Sequence, residues 1–401
     1  MLALQPSAGA SGDRPGTDLA WAITFLKAER PIVVDRDLIA AFEAASSVNT
    51  RRALASDIDA FDLWCRGVGA VTLPATPALV ADYLDARAGK GAKPASLARY
   101  AASIAKLHTL LALDDPTRAA LVKLRLAAIR RKLGTAQAQA RPLRFKGATR
   151  NVVRDRARGL NISAMLEACD DSLPELRDRA LLSLAYDTGL RAAELAAVAV
   201  EDVIEALDAD ARLLRIRRSK GDQEGEGATA YLSPRTVRAV SAWLAAAGVD
   251  RGAMFRRVGV RRYAARAAYM GRQVDDISGR ERWDVMKTVS RAAIPGRVDY
   301  DVGRAALHPG SIGPVFRRMA QRAFDRGTMP DLTKNDLARL LKGLSAHSTR
   351  IGLTQDLFSV GEDIGGIMDA LRWKSPRMPL AYNRNLAAEA GAAGRLLRGL
   401  E

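Results

Sequence analysis

The sequence predicts a mainly α-helical protein with a small antiparallel β-sheet, and three observations predict it. Apolar residues recur at three- and four-residue steps through most of the 401-residue chain from about residue 36 onward. Residues 203–234, VIEALDADARLLRIRRSKGDQEGEGATAYLSP, instead alternate apolar and polar side chains around two turn-forming segments. Residues 135–150, TAQAQARPLRFKGATR, hold no period and contain Pro142 and Gly147, so they divide the chain into an N-terminal helical unit and a larger second unit. With 48% hydrophobic residues there is apolar surface enough for both cores.

The elements follow in order. Residues 1–35 begin with about 18 residues rich in Gly, Ala, Ser, Pro and Asp, and lack the basic start and apolar run of a signal peptide. They are expected to be a disordered or accessory segment. Residues 36–135 read as one helical domain. DRDLIAAFEAA, NTRRALASDIDAFDLWCRGVG and TPALVADYLDARAGKG have Asp35, Asn49 and Thr76 as N-caps, and Gly67, Gly69 and Gly89 mark their ends. A fourth helix, KPASLARYAASIAKLHTLLAL, carries Pro94 in its first turn, and a fifth, DPTRAALVKLRLAAIRRKLG, is closed by Gly134. Residues 136–160 are expected to be a basic interdomain linker, and 161–401 the second domain. Within the latter, 203–234 predicts three antiparallel strands and TVRAVSAWLAAAGV a helix. Residues 261–305 are Arg-rich without a period and read as irregular.

Charge narrows the function. Lys and Arg number 62 against 45 Asp and Glu, a net charge of +17, which calls for a polyanionic partner. No apolar run reaches the roughly 20 residues of a membrane span, so the expected partner is nucleic acid. Between residues 116 and 160 there are 13 Lys or Arg and one acid, Asp155. Phosphate contact is assigned to Lys93, Arg99 and Lys106 on the fourth helix, and to Arg130, Arg131, Lys132, Arg141 and Arg144 of the basic run. Cys65 and Cys169 have neither CxxC spacing nor a companion His, so they read as buried thiols in a reducing cytoplasm.

Chemistry is carried by a few scattered residues. In YDTGLRAAELAAV, Gly189 breaks a helix and Arg191 starts the next, with Glu194 on the same face. Lys220 follows a strand beside a Gly-rich turn. In SAHSTRIGLTQDLF, His347 and Arg350 share a helical face, and Trp373 and Tyr382 follow in LRWKSPRMPLAYNRNL. An arginine fork suits two phosphate oxygens, a histidine near neutral pKa can take a proton, and a phenol can attack phosphorus. Each residue alone also fits an ordinary ion pair, capping histidine, turn lysine or packed aromatic.

Together, Arg191, Lys220, His347, Arg350, Trp373 and Tyr382 resemble the active site of the tyrosine recombinases, the phage-integrase family, and its Cre-like branch in particular. AHSTR, IMDALRW and AYNRNLAAEAGAAGRLL carry the resemblance, including Trp where most relatives have His. It implies an N-terminal core-binding (SAM-like) domain and a catalytic domain that clamp duplex DNA. Tyr382 would form a 3′-phosphotyrosyl link, Arg191 and Arg350 would hold the phosphate oxygens, and His347 and Trp373 would complete the cradle. Lys220 would protonate the leaving 5′-oxygen and Glu194 would orient Arg191. No cofactor or metal is implied, because the phosphotyrosine conserves the bond energy.

The expected partners are a specific recombination site, inverted repeats around a short spacer, with a homodimer on each site and a homotetramer in the synapse exchanging strands through a Holliday junction. The expected location is a bacterial cytoplasm, on host, phage, plasmid or other mobile DNA. The tail 383–401 would dock into a neighbouring protomer. Residues near 263–305 exceed the Cre-like pattern as an insertion, and Pro379 raises the expectation of a distorted segment before Tyr382. A topoisomerase IB, a hairpin telomere resolvase or a non-catalytic architectural DNA-binding protein are the alternatives.

Overall fold

The computed structural model describes residues 31–135, 139–217, 227–269 and 291–390, with 23, 26–29 and 400 besides. It divides into two compact units, 1–138 and 139–401.

The first unit contains five α-helices among its described residues: α1 (Arg36–Ala45), α2 (Val48–Gly67), α3 (Pro77–Gly89), α4 (Pro94–Leu110) and α5 (Ala120–Leu133). Short polar side chains start the first three. Asp35 accepts from the backbone N–H groups of Asp37 and Leu38, Ser47 from Thr50 and Thr76 from Leu79. Helix α2 thus begins at Ser47, two residues before the predicted cap Asn49. The predicted fifth helix is also split: Pro116–Arg118 form a 3-10 turn, and α5 starts after Ala119. Gly134 closes it at φ 72°, a conformation that costs a Cβ-bearing residue about 1 kcal/mol or more.

The apolar faces of α2–α5 meet around Phe61, Cys65, Tyr83, Leu84, Leu97 and Ile104. Two buried polar residues inside this unit have hydrogen-bond partners. His108 is buried, with Nδ1 against the Ile104 carbonyl at 2.8 Å and Nε2 accepting the Ala75 N–H at 3.0 Å, so burial holds it neutral. Asp57 accepts from Ser103 at 2.7 Å and from Arg99 at 2.5 Å.

The second unit is built on helices α6 (Ile162–Glu167), α7 (Leu173–Thr188), α8 (Ala192–Ala197), α9 (Pro234–Ala247), α10 (Ile312–Asp325), α11 (Lys334–Lys342), α12 (Ser348–Ser359), α13 (Ile364–Leu371) and α14 (Arg377–Ala390). Strands β1 (Val203–Glu205), β2 (Arg212–Ile216) and β3 (Ala228–Leu232) form the predicted antiparallel sheet in the order β1-β2-β3. Its inner face packs Leu214, Ile216 and Leu232 into the main core with Trp243, Phe255 and Phe316. Burying each such large side chain contributes about 1.5–3 kcal/mol.

The Arg-rich stretch expected to be irregular is instead partly regular. Strands β4 (Arg256–Tyr263) and β5 (Arg297–Ala306) pair antiparallel as a separate two-stranded ribbon. Sequence period fails here because only Val258 and Val302 at the root pack against the core and neither face is covered beyond them, so neither had to be apolar throughout. The tyrosine-bearing segment is regular as well. Pro379 lies in the first turn of α14, where no intrahelical N–H bond is required, and the helix runs on through Tyr382.

The boundary between the units lies at the start of the expected linker, and residues 139–160 belong to the second unit. Leu143 is buried, and its backbone N–H donates to the Ser348 carbonyl at 2.9 Å. Helix α12 accommodates this segment through Gly352, since a Cβ there would fall 1.9 Å from the Leu143 oxygen. Arg144, assigned above to DNA phosphate, is buried and does something else. Its Nε donates to Asp356 at 2.6 Å and its Nη1 to the Thr149 carbonyl at 2.6 Å, while Asp356 also accepts from the Phe145 N–H and the Tyr186 hydroxyl, each at 2.8 Å. A charge sited beside a buried carboxylate is drawn to it and not to solvent phosphate. Composition could not separate this arginine from its exposed neighbours. No helix among the described residues is long and apolar enough to cross a membrane.

Leaving Asp356 buried without its cation costs about 3–5 kcal/mol. Arg144→Ala should therefore destabilise the second unit by that amount, whereas the exposed Arg150→Ala should change its stability by less than about 0.5 kcal/mol. Chemical denaturation followed by tryptophan fluorescence checks both.

Candidate active site

Five of the six residues singled out above come together in the second unit. Helix α7 ends at Gly189, left-handed at φ 56°, where a Cβ would meet the Leu371 side chain at 2.3 Å. This tight crossing turns the chain so that Arg191 caps α8. The Glu194 carboxylate accepts both the Arg191 backbone N–H at 3.0 Å and its Nη1 at 2.8 Å. Burial opposes ionisation of Glu194, but these two hydrogen bonds and the guanidinium charge outweigh it and hold its carboxyl below the ordinary range.

Arg350 lies on α12, 1% exposed. Its Nη1 donates to the Gly189 carbonyl at 2.7 Å and its Nη2 to the Leu371 carbonyl, so the same turn that places Arg191 also fixes the Arg350 fork. Among the described residues its Nε–H, also buried, has no partner. Burial, and then the neighbouring charges of Arg191 and Arg372, push this guanidinium down to about 9, still protonated at neutral pH.

The indole of Trp373 lies under Arg350, with Cζ 4.8 Å from the ring centroid, and the Tyr382 ring stands 5.7 Å from that of Trp373. Tyr382 is 8% exposed, and its backbone carbonyl accepts from Gln355 on α12 at 2.9 Å, which ties α14 to the arginine-bearing helix. Its hydroxyl is 2.7 Å from His347 Nε2. His347 is half-buried just before α12. Burial, followed by the charges of Arg350 and Arg191, pushes its imidazole down to about 4. It is thus neutral near pH 7, and Nε2 can accept the phenolic proton. The Tyr382 phenol is itself raised by burial, against the opposing pull of Arg350 and Arg191.

Lys220 lies outside the described residues. Of the residues assigned to DNA, Lys93, Arg99, Lys106, Arg130, Arg131, Lys132 and Arg141 are not buried. Arg99 nevertheless commits its charge to Asp57, and Lys106 Nζ sits 5.5 Å from the Phe42 ring.

One residue of the site escaped sequence reasoning. Arg372 is half-buried and adopts φ 55°, ψ 51°, a left-handed conformation rare outside glycine, and its Nη2 donates to the Thr188 carbonyl at 2.9 Å. It adds a third positive charge near Arg191 and Arg350. Its only signal was a basic residue directly before Trp373.

Two arginine forks, a neutral histidine and a phenol in one partly buried cluster form a site for an oxyanion with a nucleophilic group beside it. The model of the Phage integrase family matches residues 156–273, and that of the phage integrase N-terminal SAM-like domain matches residues 40–114. Both domains of the phage integrase family, the tyrosine recombinases, thus have their match in this chain. It is similar to Recombinase cre of Escherichia phage P1, 26% identical over 357 residues covering 88% of this chain and 89% of that one. The integrase/recombinase xerD homolog of Selenomonas ruminantium is 28% identical over 226 residues, 54% of this chain and 61% of that one. The crystal structure of XerH site-specific recombinase bound to difH substrate, a pre-cleavage complex, shares the fold with a TM-score of 0.50 at 14% identity, covering 88% of this chain and 83% of that one.

The lowered imidazole has a direct consequence. In the DNA-free protein the His347 ring should remain unprotonated as pH falls from 8 to about 5.5, whereas an ordinary histidine would be mostly charged by then. Selective imidazole NMR should show His347 resonances that do not move over this interval. Replacing Arg350 by Gln should raise the midpoint, because one of the two charges that depress it is gone.

Proposed function

We propose that this protein is a site-specific DNA recombinase that breaks and rejoins duplex DNA through a covalent link between Tyr382 and a 3′-phosphate. The observation that carries the proposal is the 2.7 Å contact of the Tyr382 hydroxyl with His347 Nε2, beside two arginines that no carboxylate fully neutralises.

The chemistry follows from the groups present. The scissile phosphodiester enters with its non-bridging oxygens toward Arg350 and Arg191. Arg350 offers its unpartnered Nε–H and the remaining protons of a fork already aligned by two backbone carbonyls. Arg191 is aimed by Glu194. His347 takes the phenolic proton as the Tyr382 oxygen attacks phosphorus. The P–O bond to the 5′-carbon side breaks, and Lys220 supplies the proton to the departing 5′-oxygen. The negative charge growing on the pentacoordinate phosphorus is met by fixed donors in a water-poor site, where each counts for more than it would in water. Trp373 holds the arginine from beneath and closes the phosphate cradle.

A 5′-hydroxyl from a second duplex reverses the same step, and the phosphoester bond is conserved throughout. Exchange of both strand pairs through a Holliday junction requires four active sites, so the reading includes a homodimer on each inverted-repeat site and a homotetramer at synapsis. The Tyr-proximal tail, 383–401, is assigned to contact between protomers. The buried thiols of Cys65 and Cys169, both pushed up to about 11 by burial, suit a reducing cytoplasm in which the DNA target resides.

The test is a nicked duplex carrying a target selected from a random-sequence pool, on which a cleaved strand cannot be religated. A protein–DNA adduct that survives denaturation is expected from the wild type and absent from Tyr382→Phe. Arg350→Ala and Arg191→Ala should each slow adduct formation by about 100- to 1,000-fold. Retention of the adduct in Tyr382→Phe overturns the assignment. Products distinguish the alternatives: exchanged partners indicate recombination, while relaxed circles or hairpin ends indicate a topoisomerase or telomere resolvase.

A further inference from the structure

The ribbon of β4 and β5 is not used by the chemistry above. It is rooted firmly: Met254 and Phe255 are fully buried just before it, Leu307 is buried just after it, and the Leu307 N–H donates to the Phe255 carbonyl at 2.8 Å. From that root it leaves the core. Register runs from Arg256 opposite Ala306 to Tyr263 opposite Arg297, and bridges at Arg266–Ile294 and Tyr269–Arg291 continue the pairing outward. Beyond Val260 every described residue of the ribbon up to Asp301 is exposed.

A two-stranded ribbon exposed on both faces gains little from burial and is marginal in water without a covering surface. The alternation assigns its faces. One presents Val260, Arg262, Arg266, Ile294, Val298 and Tyr300, and the other Arg257, Arg261, Tyr263, Arg297, Asp299 and Asp301. Across the described parts there are eight arginines and two aspartates. Arg297 is engaged by Asp299 at 3.5 Å and by the Tyr263 ring at 4.6 Å. Among the described residues, Arg257, Arg261, Arg262, Arg266, Arg291 and Arg304 form no ion pair.

We infer that this ribbon is a second DNA-binding element, lying along duplex outside the cleavage site and neutralising its phosphates. Its two strands are of the width that a major groove admits, and from Arg256 to Tyr269 it is long enough, at about 3.3 Å per residue, to reach across more than one groove width. The charge balance selects a polyanion over a second copy of this strongly basic chain. The inference deepens the recombinase reading and rests on it for the identity of the duplex, but the two fail separately.

The experiment measures affinity of the full chain for a random-sequence duplex of about 40 base pairs as a function of salt. Every phosphate that a variant no longer neutralises reduces the slope of log affinity on log salt by about 0.9. The variant Arg261→Gln, Arg262→Gln, Arg266→Gln, Arg291→Gln should lower that slope by about two to four, and the matching four Arg→Lys changes should keep it. Adduct formation at saturating protein on a nicked duplex too short to reach the ribbon should be the same for all three proteins. An unchanged slope in the Gln variant overturns the inference, and if that variant loses self-association instead, the ribbon is a contact between protomers. Absence of any Tyr382 adduct would sink the recombinase reading while leaving the slope comparison to judge the ribbon.

Discussion

A buried guanidinium that hydrogen-bonds to backbone carbonyls and, among the described residues, to no carboxylate organises this protein. Taking an unpaired charge out of water costs several kcal/mol, and proteins ordinarily offset that with an opposite charge. Among the described residues the hydrogen-bond acceptors of Arg350 are neutral carbonyls, those of Gly189 and Leu371, and its charge lies over the Trp373 ring; the Glu194 carboxylate favours that charge electrostatically, while Arg191 and Arg372 oppose it. The second unit holds it there regardless. Gly189 supplies the turn, Gly352 lets residues 141–145 lie against α12, and the Arg144–Asp356 pair locks that segment in place. The site is therefore assembled around positive charge before DNA arrives, which is what stabilising a doubly charged transition state demands.

The same charge sets the proton chemistry. The cations that await phosphate also depress His347, so the imidazole is a base and not an acid before an anion binds. On the proposed mechanism an entering phosphodiester would partly cancel them, making the imidazole more basic at the step where it would accept a proton. Binding and activation of the nucleophile are, on that mechanism, one electrostatic event, with Tyr382 held by its contact with His347 and by Gln355.

How much of this is legible in the sequence depends on which physical signal each residue leaves. Helices with polar caps and glycine ends, such as α3 and its cap Thr76, and the alternating sheet β1–β3 are legible because propensity and burial agree there. The candidate site is legible as a cluster through residue types and order, since Arg191, His347, Arg350, Trp373 and Tyr382 are chemically specific and the structure brings them together. Arg144 is misread because a basic run says nothing about which member turns inward to meet an aspartate 212 residues away. Arg372 goes unnoticed because its left-handed backbone carries no sequence mark in a non-glycine residue. The ribbon reads as irregular because alternation is imposed by a buried face, and beyond Val258 and Val302 at its root the ribbon has none.

If Arg350 exists to neutralise a phosphate oxygen, charge can be removed from either side of that contact. A methylphosphonate placed at the scissile position of the nicked target lacks one negative oxygen. Arg350→Ala, nearly inactive on phosphate, should regain Tyr382 adduct formation on the methylphosphonate. If the neutral linkage gives the variant no more adduct than the phosphate does, Arg350 serves some other purpose, and a site organised around its charge is contradicted.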